Sequence, residues 1–260
     1  NYNGWQLNNY GLIDVQSGVL LLEQGSKNLN DGGSVTGTGR VRSVGGTLTL
    51  TGTTTLGAGA TVELASGTLT GTGAFDGTGT FEWTGGGIAG GTITVGANAN
   101  LLLSPGADRA LYGGAVLNNN GTGLATLANT WIISSGATFN NNGLFTLQSD
   151  FTIFYDNSGS YPAFNNNAGG TLRKAGSAGS VAFHVNYGGT RFNNTGLVDI
   201  QQGTLILGGG GTGAGTWQVA ASGQVEFTGN TMTLTNGTAF SGAGTNRVNG
   251  GRVNFSNSAG

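Results

Sequence analysis

Apolar residues along this chain alternate with small polar ones over three to six positions and then stop at glycine. Thr47-Leu48-Thr49-Leu50, Thr61-Val62-Glu63-Leu64 and Thr92-Ile93-Thr94-Val95 are clear cases. A period of two closed by glycine predicts short strands with one buried face. Glycine and β-branched threonine recur every few residues and disfavour helix throughout. The chain is predicted to be all-β.

The pattern also repeats. Asn8-Asn9-Tyr10-Gly11 through Val19-Leu20-Leu21-Leu22 matches Asn193-Asn194-Thr195-Gly196 through Thr204-Leu205-Ile206-Leu207, and a third copy runs from Asn140 to Phe154. Weaker copies begin at Asn118 and Phe164. The glycines of the motif fall at 11, 121, 143, 169 and 196. Motifs that occupy one wall of a coil must be whole coils apart. These gaps predict about eleven coils of about 22–27 residues, in the period range of solenoids. One coil cannot bury its few apolar side chains, but stacked coils about 4.8 Å apart bury them in one interior. The prediction is therefore a right-handed parallel β-helix, one β-solenoid over 1–260, with three short strands per coil and a length of about 50 Å. Glycine and asparagine should take the corners, with asparagine amides stacked coil over coil. A β-propeller needs roughly 40–50 residues per blade and fits less well.

Composition sharpens this reading. Glycine occurs 54 times among 260 residues, and only 8% of residues are charged, yet 37% are hydrophobic. A collagen would need glycine at every third position, and a disordered chain would lack the apolar content. The absence of cysteine removes disulfides, thiol catalysis and cysteine metal sites. The formal charge of −2 comes without a basic run, so no nucleic acid is expected as partner. Val19-Leu20-Leu21-Leu22 is the longest apolar run and is too short to insert in a membrane. The chain starts without Met and reads as a mature or excised piece. Asn1-Tyr2-Asn3-Gly4-Trp5 resembles a mid-solenoid corner and Asn254 to Ser258 ends without punctuation, so further coils or copies are expected to stack on both ends.

Two stretches carry a resemblance. Phe164-Asn165-Asn166-Asn167-Ala168-Gly169-Gly170-Thr171-Leu172-Arg173-Lys174-Ala175-Gly176 and Phe192-Asn193-Asn194-Thr195-Gly196-Leu197-Val198-Asp199-Ile200-Gln201-Gln202-Gly203-Thr204-Leu205 look like the recurring elements of large secreted bacterial surface proteins, the adhesins and autotransporter passengers. The likeness covers about two thirds of the chain, most clearly 115–260. It implies a pectin-lyase-like topology, an extracellular or cell-surface location and a structural or adhesive role, and it supplies no catalytic motif.

The supply of chemistry is thin. A polysaccharide-degrading β-helix needs clustered carboxylates, or aspartates holding calcium beside a base. Here the acids are scattered, although coil register could bring Glu63 and Glu82 together on one wall, with Asp76 at an adjacent corner. Their preferred reading is a solvated outer face. Arg173, Lys174, His184 and Arg191 form the densest basic group, and the lone His184 has no partner in sequence. Trp83, Trp131 and Trp217 are expected to fill core or corners. No enzyme, metal or cofactor is expected. The segment 151–164, Phe-Thr-Ile-Phe-Tyr-Asp-Asn-Ser-Gly-Ser-Tyr-Pro-Ala-Phe, is expected to protrude as an aromatic loop. Phe154, Tyr155, Asp156 and Tyr161 are its binding candidates for surface glycans or a second subunit, against the preferred reading of a local cap. Polysaccharide binding or degradation is the main alternative function. Ice binding is a second, because Thr47 to Thr55 holds the Thr-x-Thr pattern, although later coils interrupt it.

Overall fold

The structure, a computed structural model, describes residues 4–256. Asn1 to Asn3 and the tail from Asn257, where both expected uncapped termini partly fall, lie outside the described residues. The chain winds into a parallel β-helix of about twelve turns. Each turn crosses three walls in the same order. Wall 1 is a sheet of 11 strands from Val19–Glu23 to Ala239–Ser241. Wall 2 begins with Gln6–Asn9 and ends with Thr245–Val248. Wall 3 begins with Leu12–Asp14 and ends with Arg252–Ser256. Every strand pairing is parallel and joins one coil to the next, as Thr122 to Leu144 and Asn141 to Asn166 illustrate.

Some coils are shorter than expected. Successive wall 1 partners are nearest in sequence at Thr61 and Thr80 and, equally, at Leu197 and Thr216, and furthest apart at Leu144 and Thr171. The early coils are shorter because their corners need no loop. Thr47–Leu56 and Thr68–Gly77 run from wall 2 into wall 3 as single strands.

The glycine register needs two corrections. Leu144 donates its N–H to the carbonyl of Gly121, Thr171 to that of Gly143 and Leu197 to that of Gly170. The stacked column is therefore Gly121, Gly143, Gly170 and Gly196. Gly169 instead takes the preceding turn, at φ 85°. Gly11 belongs to a different corner. Its carbonyl accepts from Ser34, and Leu12 pairs with Ser34 on wall 3, whereas Leu197 pairs with Thr171 on wall 1. The first motif copy is thus displaced by one wall. Strands and corners of similar length let the same motif serve either position.

Inward side chains form the core. Leu29, Leu50, Val62, Leu69 and Ile93 fill the first half, while Phe139, Phe145, Phe164, Phe183 and Phe192 fill the second, all buried. Phe139 and Phe164 meet at 4.7 Å between ring centroids, and Phe164 and Phe192 at 5.8 Å. Trp83, Trp131 and Trp217 are fully buried, as core fillers should be.

Asparagine ladders stand at the end of wall 3. Inside, Asn119, Asn141 and Asn166 each donate Nδ2–H to the Oδ1 of the next coil's asparagine, at 2.9, 2.8 and 2.8 Å, ending on Asn194. Their second N–H goes to the carbonyls of Leu144, Thr171 and Leu197, at 3.0, 3.0 and 2.9 Å. Those carbonyls begin the wall 1 strands, so the ladder satisfies corner acceptors that the sheets leave over. Outside, the neighbouring column runs the opposite way: Asn140 donates to Asn118, Asn165 to Asn140 and Asn193 to Asn165.

A candidate ligand-binding trough

The two longest coils carry their extra residues as loops. Residues 155–162 join Phe151–Phe154 to Ala163–Asn166, and residues 184–190 join Ser180–Phe183 to Arg191–Asn194. The coil that follows is short again, running from Leu197 only to Thr216 before it returns to wall 1. At the same corner it reads Gly208-Gly209-Gly210-Gly211. A Cβ at Gly209, Gly210 or Gly211 would strike the carbonyl oxygens of Thr190, Thr231 and Phe192. Only bare backbone fits there. Two loops above and a side-chain-free coil below leave a trough of about 600 Å³ on wall 3. Tyr161, Arg191 and Asn193 form one bank, and Asn230, Thr231 and Thr233 the other.

The segment 151–164 divides between these roles. Tyr155 is 3% exposed, and its hydroxyl donates to the Gly159 carbonyl at 2.7 Å, so it anchors the loop from inside. Asp156 accepts the N–H of Ser158 at 3.0 Å and shapes the turn. Phe154 packs on His184, centroids 5.9 Å apart. Tyr161 is 51% exposed and lines the trough, with the Arg191 guanidinium 5.1 Å over its ring. Of the four aromatic-loop candidates, one reaches the trough and three build the loop that holds it.

The basic group expected from sequence is dispersed. Arg173 points outward and pairs with Asp199 at 2.8 Å. Lys174 points inward, is fully buried, and donates to the Ser177 carbonyl at 3.0 Å. His184 accepts the N–H of Asn186 on Nδ1 at 3.1 Å. Arg191 makes no ion pair among the described residues, although the loops bring it to the trough. Nothing local in the sequence marks the glycine run and Arg191 as register neighbours.

Glu63 and Glu82 do pair across coils on wall 1, but not as a solvated face. Glu63 is 2% exposed. Arg40 reaches Glu63 at 2.7 Å and Glu82 at 3.1 Å, and Arg42 reaches Glu63 at 3.4 Å. Thr84 donates to Glu63 at 2.8 Å, and Ser104 donates to Glu82. Glu63 holds the Arg40 guanidinium above its ordinary pKa by hydrogen bonding. Two carboxylates already bound to cations and hydroxyls have little freedom to act as acid or base. Among the described residues no group of three His, Cys, Asp or Glu is placed to hold a metal ion.

Three buried cations sit two residues from a buried leucine, Lys27 from Leu29, Arg109 from Leu111 and Lys174 from Leu172, so the alternation turns them inward. Lys27 reaches the carbonyls of Leu22 and Gly45, Arg109 those of Trp83 at 2.8 Å and Ser104 at 2.7 Å, and Lys174 that of Ser177. Desolvation lowers the pKa of all three, that of Arg109 to about 10. Lys27 and Arg109 tie neighbouring coils through carbonyls, and Lys174 does so through Asp150 at 3.7 Å.

The threonine array is short. Thr47, Thr49 and Thr51 pair with Thr68, Thr70 and Thr72 on the next coil. On the coil after that, only Thr72 keeps a threonine partner in this set, Thr92.

Compared with protein families, with curated proteins and with solved structures, the chain matches none.

Proposed function

We propose that this chain is a non-enzymatic structural or adhesive module of a bacterial extracellular or cell-surface protein, stacking lengthwise with further solenoid coils or copies of itself. One observation carries the reading: apolar surface is concentrated at the two ends of the stack. At the first coils Leu12 is 63% and Val19 54% exposed, and at the last Phe255 is 75% and Val248 57% exposed. An apolar hollow of about 300 Å³ opens there among Phe227, Leu234, Phe240, Val248, Val253 and Phe255. Contiguous exposed apolar surface marks an interaction site, and terminal strands add unpaired backbone groups. The lateral walls differ, because their asparagine amides and carboxylates are largely consumed between coils. Contact along the axis therefore releases the most water for the least polar desolvation. The location follows from the Asn/Gly-rich resemblance to adhesins and passengers.

Sedimentation velocity across a concentration series tests this. Association that Val248→Lys and Phe255→Lys suppress is the expected result. A monodisperse monomer at every concentration sinks the stacking reading.

A further inference from the structure

We propose that the trough on wall 3 binds an anionic, hydroxyl-rich saccharide chain that runs on along the wall, with Arg191 in the trough and Arg252 one coil beyond its lining as the two cationic contacts. This goes beyond lengthwise stacking, since the trough faces sideways and both readings can fail separately.

The placement of charge supports it. The register of Asn194 with Gly213, continued back along both strands, sets Arg191 opposite Gly210. Gly210 is then opposite Thr231, and Thr231 pairs with Arg252. The two guanidiniums thus belong to one outward column, three coil spacings or about 14 Å apart along the axis. Between them lie glycine and threonine. No acid occurs in the wall 3 strands from Ala163–Asn166 to Arg252–Ser256. Neither arginine makes an ion pair among the described residues, whereas Arg40, Arg42 and Arg173 all do. Arg191 is moreover held over Tyr161, which fixes the guanidinium plane and keeps its N–H fork unspent.

The remaining lining selects the ligand class. Thr231 and Thr233 offer hydroxyl partners, and Asn230 is fixed by donating to the Gly188 carbonyl at 2.8 Å. No aliphatic side chain lines the trough to seat the apolar anchors on which peptide recognition depends. Base stacking would need free aromatic faces, and the single ring present already carries Arg191. A sugar chain bearing carboxylates or sulfates supplies what the site lacks: hydroxyls for the threonines and anions for the arginines.

Titration calorimetry of the full chain with oligogalacturonate, sulfated dextran, a neutral xylo-oligosaccharide and a single-stranded oligonucleotide tests the assignment. One or both anionic saccharides are expected to bind, oligogalacturonate if the site takes carboxylates and sulfated dextran if it takes sulfates. Arg191→Ala should weaken that binding about tenfold or more, and Arg191→Lys less, because it keeps the charge and loses the fork. Arg252→Ala should weaken it severalfold, and Arg247→Ala, a basic residue on wall 2, by less than about twofold. These arginines are at the surface, so unchanged melting temperatures are expected to accompany the losses. Binding of the neutral sugar or the oligonucleotide as tight as that of the anionic sugars, an equal loss in Arg247→Ala, or no binding by either anionic sugar would overturn the proposal.

Discussion

From Ser26 to Leu103 the coils are joined by mainly aliphatic ladders inside, with Phe75, Phe81 and Trp83 among them, and by the Arg40, Glu63 and Glu82 network outside; from Val116 to Trp217 they are joined by packed phenylalanines and paired asparagine columns. The backbone ladder is the same in both. The first region turns its corners largely with glycine, and its side-chain hydrogen bonds are separate ones, such as Gly45 N–H to Ser66 and Thr53 N–H to Asp31, not stacked columns. The second accommodates the two longest coils, Leu144 to Thr171 and Thr171 to Leu197, and its inner asparagines hold the corner where those coils pass from wall 3 to wall 1. The contrast is that the long coils add residues at the corner from wall 2 to wall 3, while the asparagine columns keep the corner from wall 3 to wall 1 in register.

Truncating the aromatic column tests the second region most severely. Phe164→Ala is expected to cost about 3–5 kcal/mol in urea unfolding, because rings on both neighbouring coils lose contact at once. Asn166→Ala comes next, at about 2–4 kcal/mol, since it strands the Asn141 amide, the Asn194 oxygen and the Leu197 carbonyl. Asn165→Ala, on the half-buried outer column, should cost under about 1 kcal/mol. Equal losses at 165 and 166, read by hydrogen exchange at Thr171 and Leu197, would erase the distinction between the columns. In the first region Arg40→Ala should cost about 1–3 kcal/mol by leaving Glu63 and Glu82 short of their shared cation.

Two gentler changes probe the boundary. Asn119 Oδ1 is buried without a partner, and Val95 precedes it in register. Val95→Asn extends the column by one rung and should cost less than about 1 kcal/mol, whereas Leu64→Asn should cost several times more; comparable midpoints for the two would count against a ladder that can be lengthened. The smallest effect concerns pH. Burial holds Lys174 below the usual lysine value of 10.5. Between its lowered value and 10.5 the unfolded chain binds more protons, so this residue's contribution to stability rises with pH there. The melting-temperature gap between the native chain and Lys174→Met should move in the native chain's favour as pH is raised towards 10.5, and a constant gap would contradict the desolvation account.

Much of this was legible beforehand, for reasons that particular residues make plain. Leu48 and Leu50, or Val62 and Leu64, sit two apart and face one interior, so their alternation carries the strand directly. The Asn-Asn-x-Gly motif carried the stacked amides, because asparagine and glycine answer a local need of the corner. Wall identity was not legible: Asn8-Asn9 and Asn193-Asn194 have the same surroundings in sequence but lie on different walls. The alternation turns Lys27, Arg109 and Lys174 inward, but what satisfies them was hidden for a related reason, as carbonyl partners such as Trp83 for Arg109 lie a full coil away. The trough was hidden most, since it arises from what the Gly208 to Gly211 coil lacks beside what the preceding coils add.

The uniform strand direction has a last consequence. A helix of parallel strands has a leading face and a trailing face that differ, because the first strands and the last strands leave opposite sides of the ladder unpaired. Units that join such faces meet head to tail, and a heterologous contact of this kind does not close on a pair. Growth would continue in one polarity until a differently shaped terminal piece stopped it, so the length of the resulting filament would be set by the cap and not by the repeating unit.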